Sequence, residues 1–275
     1  HAPNNPGPYQ KTVADAVDYL IRYQRPDGDL RNGGDMYTQG IAAIAVAEAA
    51  IMTRDPGYRD AAFLAADFII KAQHRNTGGW RYQPGDPGDT SVFGWQIMAL
   101  HAAEQLGYEV PDEVYKRSNN WLDRVTRKNS LRSGYQNDSP NPAMTAEAMF
   151  CRILLGEVFD DEPLADASRY MLNESPGRGK DNFYFWYYGA LTLRHVENEA
   201  WPQWNVKMRD HLIKEQKKGG EADGSWDYSS TRWGDRGGRV YSTAMGALML
   251  EVYYLYTGLY RGKSALYPTS VAKSD

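Results

Sequence analysis

Residues 78–96 read GGWRYQPGDPGDTSVFGWQ. A Gly-Gly-Trp cluster, a Pro- and Gly-rich turn with two aspartates, and a second Gly-Trp cluster fall within one short stretch. Such a run suits an active-site loop, a metal loop or a turn between helices, and what decides among them is whether it recurs along the chain.

It recurs. Five segments share the order amphipathic helix, Gly-rich loop, apolar helix. The first helices end in YLIRYQ (19–24), FIIKAQ (68–73), WLDRVT (121–126), YMLNES (170–175) and HLIKEQ (211–216). The loops that follow contain PDGDL, TGGW, RSGY, GRGK and DGSW. In the first helix, Val13, Val17, Leu20 and Ile21 lie at helical spacing with Asp15, Asp18 and Arg22 between them, which gives one wet face. Residues 41–50 and 244–250 are apolar nearly all round, so helices there must be buried on most sides. Alternating half-wet and buried helices predict an all-α toroid of about five hairpins in an outer and an inner layer. The inner layer is expected at 38–52, 91–106, 145–157, 184–196 and 241–256. No strand is expected, since Gly clusters fall only between helical patterns and period-two alternation is lacking. Expected boundaries are an N-terminal lead at 1–11, the toroid at 12–260 and a tail at 261–275.

Composition narrows the function. With 31 Lys and Arg against 35 Asp and Glu, the net charge is −4, and no basic cluster favours a nucleic-acid partner. The 20 Tyr and 8 Trp outnumber the 7 Phe, a bias toward aromatics with a polar tip that suits wet cavities. Cys151 is the one cysteine, so no intrachain disulfide is available, and the compartment stays open, export or the periplasm included. No apolar run is expected to span a membrane, and the HAPNNPGPYQ lead looks like a cleavage edge of a larger protein.

Tyr19-Leu20 with Gln24, Gly28 and Leu30, Phe68-Ile69 with Gln73 and Gly78-Gly79-Trp80, and His211-Leu212 with Gln216, Gly224 and Trp226 resemble the aromatic-Leu-x3-Gln-x3-Gly-x-Trp repeat of triterpene cyclases. The chain is thereby identified as similar to the terpenoid cyclase and protein prenyltransferase α/α-toroid superfamily, most of all to cyclase-repeat proteins of planctomycete bacteria. The resemblance covers residues 12–260 and implies the fold, while the chemistry of that family is missing. No Asp-x-Asp-Asp occurs, and DDEPLAD (160–166) does not form a magnesium-holding Asp-Asp-x-x-Asp. Where the prenyltransferases place zinc ligands, Asp89 remains but Ser91 stands for Cys and Ser242 for His. Hydroxyls do not replace thiolate and imidazole toward zinc. No metal and no cofactor are therefore expected. The turn tryptophans Trp80 and Trp226 are expected to plug seams between hairpins, Cys151 to be packed, and GDRGGR (234–239) to be a turn.

The inner-helix starts gather the remaining candidates: Asp35, Tyr37, Asp89, Trp95, Gln96, Thr145, Glu147, Tyr184, Trp186, Tyr187, Arg239 and Tyr241. Aromatic faces, three acids and an arginine on one rim suit a small-molecule, isoprenoid or glycan ligand in a central cleft. Asp89 and Glu147 are the candidate catalytic acids. For each acid alone, helix capping is the simpler account. Three functions remain: a ligand-binding or scaffold domain working with other domains of a larger bacterial protein, a polysaccharide lyase or glycosidase using rim carboxylates, and a diverged isoprenoid-processing enzyme. The first is preferred here because the catalytic motifs are lacking.

Overall fold

The computed structural model describes residues 2–177 and 179–253, and every regular element among them is helical. His1, the last three residues of the fifth expected inner helix and the tail lie outside the described residues. Ten α-helices follow one another among the described residues, and the chain divides at Val125/Thr126 into two compact units.

The first unit holds α1 (Gln10–Arg22), α2 (Met36–Thr53), α3 (Pro56–Ala72), α4 (Thr90–Gln105) and α5 (Asp112–Val125). α2 and α4 pack against each other, and α1 and α3 lie against them. Every residue from Thr90 to Ala103 is buried. α5 instead buries a single stripe, Val114, Ser118, Trp121, Leu122 and Val125, at the spacing of one helix face. The second unit holds α6 (Pro142–Leu154), α7 (Asp161–Leu172), α8 (Phe183–Val196), α9 (Ala200–Glu215), a 3-10 turn (Gly220–Ala222) and α10 (Gly234–Glu251). There α8 packs between α6 and α10, with α7 and α9 against them. Each unit therefore has a buried layer and a half-wet layer.

Two expectations need correction. GDRGGR is not a plain turn: α10 begins at Gly234 and breaks at Gly238, whose φ of 63° and ψ of −163° interrupt the helical path. An apolar run does reach membrane-spanning length, since α2 passes by length and composition. Its Ala-rich faces pack on α3 and α4, and 56% of the stretch is buried within the protein, as suits a core helix.

The repeat residues form a clamp. The Gln73 amide donates to Gly78 O at 2.9 Å, Val114 O at 3.1 Å and Ser118 Oγ at 3.1 Å, while its carbonyl accepts from Arg117 Nε at 2.8 Å. One side chain thus ties the end of α3 to its own loop and to α5. Gln24 makes a single bond of this kind, to Ala61 O at 2.9 Å, and Gln216 holds Gly224 O at 2.9 Å. The indoles complete the seam: Trp80 Nε1 donates to Ile69 O at 2.7 Å and Trp226 Nε1 to Leu212 O at 2.9 Å, equivalent positions of FIIKAQ and HLIKEQ. The loop glycines have a matching reason. At Gly28 and Gly78 φ is positive, and a Cβ would sit 1.9 Å from Leu64 O and 1.8 Å from Arg117 O, against the next outer helix.

The clamp sets an ordered pair of stability losses. Gln73→Ala strands several buried partners and is expected to cost about 3 kcal/mol, whereas Gln24→Ala, with one part-buried bond, should cost about 1 kcal/mol. Urea denaturation of the full chain measures both, and equal losses would show that the bond count does not set the clamp's strength.

Candidate functional site

Four of the buried helices, α2, α4, α6 and α8, open on a side-chain cap. Asp35 accepts from Tyr37 N at 2.9 Å, Asp89 from Val92 N at 2.9 Å, Asn141 from Met144 N at 3.0 Å and Asn182 from Phe185 N at 3.2 Å. α10 differs, starting from Trp233 without such a bond. Capping fixes the first turn of each helix, and with it the direction of the side chains one turn in.

In the first unit the structure brings Tyr37, Ser91, Asp89 and Arg81 into one chain of contacts. Asp89 is fully buried. Besides the cap bond, its Oδ1 accepts from Ser91 Oγ at 2.9 Å, and its Oδ2 lies 3.4 Å from Arg81 Nε. Ser91 is also hydrogen-bonded to the Tyr37 hydroxyl. The Arg81 guanidinium lies over the Tyr82 ring, 5.0 Å from its centroid, and Tyr82 neighbours Tyr37. Asp89 is a helix cap and ion-pair partner together. Asp35 is a cap. Gln96 is a strut, its amide donating to Met36 O at 2.8 Å and Val92 O at 3.2 Å. Trp95 packs beside Gly40, where a Cβ would come within 2.9 Å of it.

The second unit centres on Glu147, fully buried on α6. The Tyr184 hydroxyl donates to its carboxylate and lies 2.9 Å from both oxygens. Tyr184 is half-buried and so is the outward end of the pair. Its ring packs on Tyr188 at 5.3 Å, and Tyr188 packs on Tyr187 at 5.5 Å, building an aromatic wall from α8. Burial, and then the charge of Glu147, hold the Tyr188 phenol and the Cys151 thiol well above their ordinary ranges. Desolvation likewise pushes the Tyr241 phenol up. Trp186 turns the other way and meets His211 edge-on at 5.3 Å. Arg239 donates to Ser225 Oγ at 3.0 Å and lies near the Tyr228 ring, away from the Glu147 pair. Thr145 exchanges hydrogen bonds with the Ser133 backbone. Ser242 donates to Trp226 O at 2.7 Å, so its hydroxyl helps fasten the turn.

No protein-family model and no curated protein matches the chain. Among solved structures, it is similar to an inactive variant of alpha-1,6-mannanase, GH76A of Salegentibacter sp. HEL1_6, in complex with alpha-1,6-mannotriose. Identity is 14% and the TM-score 0.52, with 93% of this chain and 89% of that one covered. The fold is therefore all-α, of the α/α-toroid class. This likeness overturns the terpenoid cyclase and prenyltransferase resemblance: the repeat that carried it is the packing clamp, and a solved structure with a similar helical arrangement is a mannanase.

The sequence marks Glu147 and Tyr184 as residues near helix starts but not their pairing, and it gives no sign of the contacts made by Arg81 and Tyr82. The Glu147–Tyr184 pair joins residues 37 positions apart, so no local spacing encodes it.

Asp89→Ala removes the cap and leaves Arg81 facing a gap. We expect a loss of about 3 kcal/mol, against about 1 kcal/mol for Asp89→Asn, which keeps a capping oxygen, both by chemical denaturation. Cys151 is expected to resist a thiol-titrating disulfide reagent at pH 8 in the native protein and to react stoichiometrically in denaturant. Rapid native labelling would show that the α6–α8 interface opens.

Proposed function

We propose that this chain acts on glycans, as a glycosidase-type α/α toroid, and that the Tyr184–Glu147 pair marks its working site. The observation that carries the reading is a fully buried carboxylate whose partner is the hydroxyl of a half-buried tyrosine on a wall of tyrosines. Tyrosine faces suit the apolar faces of sugar rings, and their hydroxyls suit sugar oxygens. The likeness to a mannanase supports the same class of ligand.

Glycoside hydrolysis by the ordinary route uses two carboxyl groups flanking the scissile bond, one giving a proton to the leaving oxygen. Glu147 is assigned that proton-handling part. Tyr184 holds the carboxyl in one orientation and is the group through which a sugar meets it. Asp89 lies in the other unit, is already committed to the start of α4, Ser91 and Arg81, and is given no part in that step. That commitment also favours a second reading, a glycan-binding domain without turnover, in keeping with the missing motifs.

The test is reducing-sugar release from α-1,6-mannan and a panel of neutral glycans, together with calorimetric titration of the corresponding oligosaccharides. Glu147→Gln preserves shape and the bond from Tyr184, and should lower kcat by about a hundredfold or more with a small change in Tm. Tyr184→Phe should raise KM as well. Binding without release would select the second reading, and neither binding nor release with any glycan would reject both.

A further inference from the structure

The second unit contains a cavity that the Glu147 site does not use. It has a volume of about 320 Å3 and lies at the turn between α7 and α8. Asn182, the cap of α8, and Trp186 on that helix line it, whereas Tyr184 and Tyr188 project from another face of the helix. Its walls are tied together. Asp181 Oδ2 lies 2.8 Å from His211 Nε2, the Asp181 carbonyl accepts from Arg232 N at 2.6 Å, and His211 packs on Trp186. The segment bearing Lys180 and the segment bearing Arg232 are thereby held side by side.

Both cations line the cavity. Neither side chain makes an ion pair or hydrogen bond among the described residues, although acids outnumber bases in the chain. Exposed cations ordinarily find carboxylates or water, and two brought to one concavity by separate loops form an anion receptor. Glu174 lines the same cavity and offsets one charge, leaving a net of one positive among the described lining residues. That balance matches a monoanionic carboxylate better than a phosphate dianion. The Asn173 and Asn182 amides add hydrogen-bonding groups suited to hydroxyls, and Trp186 gives an aromatic floor. The volume falls at the low end of small-ligand pockets, roughly 300–1,000 Å3, which suits one monosaccharide rather than a chain.

We propose that this cavity is a subsite for a single hexuronate unit, so that the glycans this protein handles carry acidic sugars. Arg232 and Lys180 take the carboxylate, and the two asparagines take ring hydroxyls. The proposal rests on the glycan reading above, but it uses residues that reading does not.

The full chain is titrated calorimetrically with D-galacturonate and D-glucuronate, and separately with D-galactose, D-glucose, acetate and inorganic phosphate. A uronate is expected to bind at least about tenfold tighter than its neutral hexose, as a charge-assisted contact to arginine would provide, and to weaken as salt rises. Arg232→Ala and Lys180→Ala should each weaken uronate binding about tenfold, and Arg232→Glu should abolish it. Both positions changed are exposed, and unchanged Tm values serve as the folding control. Uronate binding no tighter than that of the hexose, or unaffected by these variants, would overturn the proposal. Acetate or phosphate binding as tightly as the uronate would overturn the sugar assignment. Arg232→Ala is expected to leave neutral-glycan release or binding unchanged, and Glu147→Gln to leave uronate binding unchanged. Failure of one reading is thereby told apart from failure of the other.

Discussion

The structure depends on the way one buried glutamine ends a helix. A helix terminus leaves carbonyls without partners, and a loop that leaves it exposes more of them. Gln73 meets both needs, with an amide that bonds its own loop and the next outer helix and a carbonyl that takes Arg117. The tryptophan indole then closes the loop back onto the helix it left, at Ile69 in one repeat and Leu212 in another. With neighbouring hairpins fixed at that joint, glycine is required where the loop meets the next helix, because at Gly78 a Cβ would lie 1.8 Å from a carbonyl oxygen. The Gln-Gly-Trp pattern is the chemical signature of the joint.

A joint fixed at the loop end also fixes the start of the buried helix that follows. Asp35, Asp89, Asn141 and Asn182 cap four of these helices, each with a side-chain oxygen on a first-turn N–H. Glu147 sits in the second turn of α6 beyond its cap Asn141, and Tyr184 on α8 just beyond Asn182. Their 2.9 Å contact therefore rests on two capped first turns held in register by α6–α8 packing. Slack in either cap would move the hydroxyl off the carboxylate, since such bonds weaken steeply with distance and angle.

The fold was legible because its signals are local and repeated. Amphipathic period, Gly-rich loops and buried alanine runs specify each hairpin, and the expected inner helices begin within three residues of the observed starts in the first four. The fifth was misplaced because Gly234–Gly237 forms a helical turn before the break at Gly238, a geometry that Gly-rich sequence does not announce. The family resemblance misled for a related reason. The residues that carried it serve packing, and packing residues report the fold rather than the reaction. The candidate site was only half legible. Glu147 stood out as an acid near an apolar helix start, but its partner comes from the next hairpin, and Arg81 reaches Asp89 from within a loop whose path depends on Trp80 and Thr77 contacts.

Asp89 and Glu147, the two fully buried carboxylates among the described residues, differ in what stands opposite them. Asp89 faces a guanidinium, a backbone N–H and a serine hydroxyl, all of which favour a fixed anion. Glu147 faces the phenol of Tyr184, with Tyr188 and Cys151 close enough to feel its charge. A phenol donates to a carboxylate, but it also accepts from a carboxylic acid, so this contact survives when a proton is gained or lost. The guanidinium contact does not survive such a change, because arginine stays charged and has no acceptor. Proton transfer to a sugar oxygen needs a carboxyl whose surroundings tolerate both states. On the glycosidase reading proposed above, that requirement, more than proximity to a helix start, is what assigns the proton-handling part to Glu147 and the part of an anchor to Asp89.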